Sequence, residues 1–204
     1  MAVKLVVLAS GRGSNFEAIA RAVKRDEIPG ARLEALICNR ADAGALRIAE
    51  REGVPTRLIE SKNYRREGKL DRPAFEIALG KTLVDLAPDL ICLAGYTLLL
   101  GKELLARWEG RIINIHPSLL PAFKGLYAQR QALEYGVKVT GCTLHYVTEE
   151  LDAGPIIAQE SLAIREGEDE ESLTARLLEV EHRLYVRGLV TLSHRMNKVE
   201  NSDQ

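Results

Sequence analysis

The segment VKLVVLASGRGSNF, residues 3–16, joins an apolar run to a glycine-rich turn and then to a new pattern. Residues 3–9, interrupted only by Lys4, do not alternate apolar with polar, which reads as a strand buried on both faces. Gly11 and Gly13 permit a tight turn, and Phe16, Ile19, Ala20 and Val23 follow at helical spacing. A doubly buried strand feeding a helix through a short turn needs a second strand and a second helix layer to complete it.

The rest of the chain supplies them. LEALICN (33–39) and VPTRLI (54–59) read as strands, with ADAGALRIAEREG (41–53) as the helix between them, stopped by Gly53. A polar loop rich in Arg and Lys covers 60–69, and a helix is predicted over 72–86. APDLICLAGY (87–96) and RIINIH (111–116) are the fourth and fifth strands, and QRQALEYG (129–136) is a short helix. VKVTGCTLHYVT (137–148) and GPIIAQESLAI (154–164) alternate like exposed or antiparallel strands. A long helix is predicted over 170–193, and the polar tail NKVENSDQ (197–204) reads as frayed. The expected fold is α/β, a Rossmann-like doubly wound, mostly parallel sheet with an antiparallel C-terminal extension. One domain is expected over 1–204: a phosphate-binding half (1–100), a catalytic half (101–195) and the tail (196–204).

Composition narrows the function. The 204 residues carry 28 Lys and Arg against 29 Asp and Glu, so there is no basic field for nucleic acid or anionic lipid. Three scattered cysteines, Cys38, Cys92 and Cys142, sit in apolar strand-like sequence without metal spacing and read as reduced core fillers. No apolar run reaches membrane-spanning length and the N-terminus lacks a signal-peptide pattern, so the expected compartment is the cytoplasm.

In such sheets ligands sit beyond the carboxyl ends of the strands. The first of these tips, SGRGSN (10–15), offers helix-start N–H groups to an anion, with Ser14 and Asn15 as candidate caps. A dinucleotide fingerprint would need glycine at Phe16 and an acid where Asn39 and Arg40 stand, and no nucleoside-triphosphate loop motif is present. A small phosphorylated ligand is the expected occupant, with a ligand-free helix cap as the alternative. At the fifth tip, Asn114 and His116 are two apart on one strand, so both side chains face the same side. An amide donor beside an imidazole suits a developing oxyanion, the imidazole also acting as acid or base. A structural histidine is the competing reading. Pro117 and Pro121 stiffen the following segment, and Asp152 lies in a Gly/Pro-bounded loop, a setting shared by functional residues and by simple turns.

SGRGSN (10–15), LAGY (93–96), NIHPSLLPAFKGL (114–126) and ELDAGPI (150–156) occur in the order and spacing of the folate-dependent glycinamide ribonucleotide formyltransferases, which the chain resembles nearly end to end. The resemblance implies formyl transfer from 10-formyltetrahydrofolate to the amine of glycinamide ribonucleotide without a metal. It implies Asn114, His116 and Asp152 as catalytic residues. Gly13, Ser14 and Asn15 would hold the ribonucleotide phosphate and Glu181 the ribose. Arg72, Leu93, Gly95, Leu100, Val147, Glu149 and Asp152 would contact the folate. The implied partners are these two small molecules, with no nucleic acid or membrane, and the protein would be a monomer or homodimer. Leu98 stands where better-known members carry arginine, and Tyr127 where many carry histidine; His145 also matches a family histidine and ranks as supporting structure. A formyltetrahydrofolate hydrolase is the nearest enzymatic alternative, and a non-catalytic phosphosugar or nucleotide sensor the alternative from another class. Formylation of initiator methionyl-tRNA would call for a further nucleic-acid-binding domain and usually a basic surface.

Overall fold

A computed structural model describes residues 2–202 of the chain. The parallel part of the sheet consists of β1 (Val3–Ala9), β2 (Ala31–Cys38), β3 (Thr56–Leu58), β6 (Leu90–Leu93) and β7 (Ile112–His116). A separate small hairpin, β4 (Arg65–Arg66) and β5 (Lys69–Leu70), follows a 3-10 turn over Ser61–Tyr64 in the segment expected as plain loop. Two antiparallel strands, β8 (Val139–Tyr146) and β9 (Ile156–Ala163), complete the large sheet in the order β3-β2-β1-β6-β7-β8-β9. The expected fold class is the observed one.

The helices are α1 (Ser14–Lys24), α2 (Gly44–Glu52), α3 (Arg72–Leu86), α4 (Lys102–Arg107), α5 (Ala128–Tyr135) and α6 (Glu170–Ser202). Successive residues of β1 alternate between two buried clusters, as a strand covered on both faces requires. Val3, Leu5 and Val7 meet Phe16 and Ile19 of α1, Ala49 of α2, and Leu184 and Tyr185 of α6. Val6 and Leu8 meet Phe75, Leu79 and Leu83 of α3 and Leu104 and Leu105 of α4. All three cysteines are buried and unbridged, and burial pushes the Cys38 thiol up to about 11 and those of Cys92 and Cys142 to about 12. Thiols held neutral in this way pack as small hydrophobes. Among the described residues, no helix is long and apolar enough to cross a membrane.

Two sequence expectations are corrected. α6 does not stop near residue 193 but continues to Ser202, through most of the tail expected to fray; residues 203 and 204 lie outside the described residues. The extension has a cause: Ser193 Oγ donates to the Pro29 carbonyl at 3.1 Å, Met196 packs on the first cluster, and the Asn197 amide lies against Gly30. α4, six residues long, was not anticipated. Its Leu104 and Leu105 are buried in the second cluster, so tertiary packing rather than local propensity forms it.

β1 lies between β2 and β6, so the chain reverses its direction of travel across the sheet at that point. The loops leaving β1 and β6 therefore flank a crevice at the carboxyl edge. They are fastened together: Ser10 N donates to the Gly95 carbonyl at 3.2 Å, and Thr97 N donates to Ser10 Oγ at 3.0 Å.

Candidate active site

The loop after β1 reaches α1 through backbone geometry. Gly13 is the N-cap, in the left-handed region at φ 86°, and no side chain caps the helix, which corrects the expectation for Ser14 and Asn15. Glycine is required there twice over, because a Cβ would also come within 2.6 Å of Ala45 Cα. The N–H groups at the start of α1 have no intrahelical acceptors, which leaves them for an anion. On the other side of the loop, Arg12, Arg40 and Arg47 line a cavity of about 380 Å³.

Asn15 turns its side chain inward. Its Nδ2 donates to Glu181 Oε2 of α6 at 2.6 Å, and its Oδ1 is buried without a partner. Glu181 is only 6% exposed, and burial pushes its carboxyl up to about 7 against the opposing pull of Asn15 and Arg12. The structure thus joins Glu181 to the start of α1 across 166 residues of chain.

Asn114 and His116 lie on the face of β7 shared with Ile112, the face covered by α3 and α4. Across the β7–β8 ladder Asn114 pairs with His145 and His116 with Thr143. His145 Nδ1 donates to the Tyr146 carbonyl at 2.9 Å, so Nε2 of the neutral ring accepts from Asn114 Nδ2 at 3.3 Å. Burial lowers the His145 pKa, which keeps the ring neutral. That contact fixes which way the Asn114 amide points and leaves its second N–H to donate elsewhere.

His116 is 5% exposed, with an acceptor oxygen near each ring nitrogen. Nδ1 lies 3.3 Å from Asp152 Oδ2, and Nε2 lies 2.9 Å from the Phe123 carbonyl. Both partners are acceptors, so the doubly protonated ring satisfies both. Asp152 arrives from the β8–β9 loop, accepts from Gly125 N at 2.8 Å, and approaches His145 Nε2 at 3.7 Å. Asn114, His116 and Asp152 therefore converge. Three non-glycine residues of the two surrounding loops, Phe123, Tyr127 and Asp152, have positive φ of 55°, 61° and 49°. Such residues cost about 1–3 kcal/mol each, and this concentration of strain marks a site whose geometry is imposed by its surroundings.

A latch holds the loop after His116. Thr143 Oγ1 donates to the Ser118 carbonyl at 2.7 Å and accepts from Leu120 N at 3.0 Å. Gln159 Nε2 donates to Thr143 Oγ1 and to the Leu120 carbonyl, both at 2.9 Å. The sequence reading passed over Thr143 and Gln159. Their signal was positional: both face the loop only once β8 and β9 are known to be antiparallel neighbours of β7. It also passed over Tyr185, fully buried in α6, whose hydroxyl donates to the carbonyl of Leu93 at 3.0 Å and pins the end of β6.

The remaining expected residues are spread along one wall. Leu93 is buried, Leu100 and Val147 are half-buried, and Leu98 and Tyr96 join them in the second cluster. Gly95 takes a positive φ of 68° at the crevice. Val147 N donates to the Ile112 carbonyl at 2.9 Å, so the backbone group it can offer a ligand is its carbonyl. Glu149 is exposed and sits 3.5 Å from Lys102 Nζ. Arg72 is the exposed first residue of α3, where the predicted helix begins, and lines a groove between α3 and α4.

Known proteins share this arrangement of sequence and fold. The family described as Formyl transferase matches residues 3–189. A phosphoribosylglycinamide formyltransferase of Bacillus subtilis (strain 168) is 42% identical over 198 residues, 96% of this chain and 98% of that protein. The trifunctional purine biosynthetic protein adenosine-3 of Gallus gallus is 44% identical over 187 residues, 92% of this chain, which spans only 18% of that relative's length. Glycinamide ribonucleotide transformylase 1 from Symbiobacterium toebii superposes with a TM-score of 0.89 at 43% identity, covering 95% of this chain and 88% of that one. The chain belongs to the formyl transferase family.

Proposed function

We propose that the protein transfers a formyl group from 10-formyltetrahydrofolate to the glycine amine of glycinamide ribonucleotide, a step of purine biosynthesis. The observation that carries this reading is the convergence of the Asn114 amide, His116 and Asp152 at one point. The ribonucleotide phosphate lies against the start of α1, and Glu181 accepts from the ribose hydroxyls. The folate lies along Leu93, Leu98, Leu100 and Val147. The buried Tyr96 hydroxyl, which has no partner, and the backbone of residues 147–152 give that wall polar groups to meet a pterin.

The amine attacks the formyl carbon, forming a C–N bond and moving the carbonyl electrons onto oxygen. The free N–H of Asn114 and an N–H of His116 donate to that oxygen. Asp152 holds the His116 ring. A proton then passes from the new ammonium to the folate nitrogen with help from Asp152, and the bond from the formyl carbon to that nitrogen breaks.

The test is one reaction supplied with 10-formyltetrahydrofolate, with and without glycinamide ribonucleotide, its products read by mass spectrometry. Formylated ribonucleotide, with little formate when the acceptor is omitted, is the expected result. Formate released regardless of acceptor would replace this reading with hydrolysis, and no turnover of either compound would leave a binding protein.

A further inference from the structure

The starts of α1 and α2 meet at the carboxyl edge of the sheet. Ala45 N of α2 donates to the Gly11 carbonyl at 3.1 Å, and a Cβ on Gly44 would come within 3.0 Å of the Arg12 carbonyl oxygen. The cavity of about 380 Å³ at this junction gathers Arg12, Arg40 and Arg47 against a single carboxylate, Asp42. Asp42 is already engaged by Arg40 through hydrogen bonds of 3.0 and 2.7 Å. Among the described residues, Arg12 and Arg47 form no salt bridge. Arg47 stands near the start of α2, which has neither a side-chain cap nor an acidic residue in its first turn. A cation in that place opposes the helix dipole, so the cluster is unfavourable until an anion meets it.

The cavity also holds a buried donor. Ser10 is 2% exposed and lines the wall. Its Oγ accepts from Thr97 N at 3.0 Å, and its hydroxyl proton has no acceptor among the described residues. Arg12 links the cavity to the seat proposed for the ribonucleotide. It lines the cavity, and its charge also reaches Glu181, opposing the rise in that carboxyl's pKa that burial drives. With a formal net charge of −1 the chain exerts no general pull on anions, so any attraction for a phosphate is local to such a cluster.

Resting on the function proposed above, we infer that the arginine cavity is a landing site for the phosphate dianion of glycinamide ribonucleotide, separate from its final seat at the start of α1. Arg12 and Arg47 draw the phosphate in, and the Ser10 hydroxyl donates to it. The anion then crosses the Gly11–Gly13 loop to the N–H groups of α1. Steering of this kind speeds capture of the acceptor and takes no part in the formyl chemistry at Asn114 and His116.

The experiment compares the wild type with Arg47→Glu. Arg47 is exposed, and an acid near a helix N-terminus suits the dipole, so the variant keeps its fold. The readout is the ratio of kcat/KM for glycinamide ribonucleotide to that for the same acceptor without its phosphate, at low and high salt. Reversing one charge at about 10 Å from a dianion in water should lower this ratio about tenfold at about 0.01 M ionic strength. At about 0.5 M screening should bring the two proteins within about twofold of each other. Equal ratios at low salt would overturn the landing site alone. A loss that persists at high salt, or that falls equally on the dephosphorylated acceptor, would also overturn it, because either would mean a disturbed loop. Failure of the wild type to formylate the ribonucleotide at all would overturn the proposed function and the landing site with it.

Discussion

Replacing Glu181 by glutamine separates what this carboxyl does to the fold from the ribose contact proposed for it. In the native protein burial raises its pKa from an ordinary 4.5 to about 7. Between those values the folded chain binds a proton that the unfolded chain has lost, so stability falls as pH rises through the interval and levels off above about 7. Each pKa unit corresponds to 1.36 kcal/mol, so the accumulated penalty is about 3 kcal/mol. Glutamine is neutral throughout, and its carbonyl can still accept from Asn15 Nδ2. Urea unfolding followed by the fluorescence of Trp108, the chain's one tryptophan, measures both proteins at intervals from pH 4 to pH 8.5. The variant is expected to gain about 3 kcal/mol on the wild type across that range, with nearly all of the gain between pH 4.5 and 7.5. The ribonucleotide KM should move the other way, rising about 10- to 100-fold through loss of a charged acceptor for the ribose. Two parallel stability curves would refute the argument, since they would mean that the carboxyl is solvated in the folded chain.

Other substitutions probe the remaining parts of the site. His116→Ala and Asp152→Ala should each fold and lose turnover by about a hundred- to ten-thousandfold, read as kcat for formylated product by mass spectrometry; near-normal activity in either would end its assigned role. Gly13→Ala forces a side chain into the left-handed region and against Ala45, so thermal stability should drop and the ribonucleotide KM rise while the folate KM holds. Thr143→Val keeps the shape but leaves the Leu120 N–H without its acceptor and deprives the Ser118 carbonyl and Gln159 amide of a partner, at a cost of about 1–3 kcal/mol in a urea titration.

The fold was readable where burial was complete. β1, β2, β6 and β7 carry continuous apolar runs because both of their faces are covered, and Asn114 and His116 stand out as the polar interruption of such a run. Glu181 was far less legible. In sequence it is one acid among many on a long helix, and only the contact with Asn15 distinguishes it from a solvated neighbour. α4 was invisible because six residues carry too little periodicity to register, and the helical tail because its support comes from the distant Pro29–Gly30 turn. The latch of Thr143 and Gln159 depends on antiparallel register, which local patterning does not encode.

The Phe123 carbonyl at His116 Nε2 bears on selectivity against water. A backbone carbonyl resembles the oxygen of a formyl amide, so the resting site is occupied by a tethered mimic of its own substrate. Covalent attachment gives that mimic a high effective concentration, and a stray water must compete with it for the imidazole. The substrate faces a lower barrier, because it exchanges one carbonyl acceptor for another and brings its remaining contacts along. If the proposed formyl transfer holds, this contact restrains loss of the donor to hydrolysis, and loosening the loop with Thr143→Val should raise formate release in the absence of acceptor.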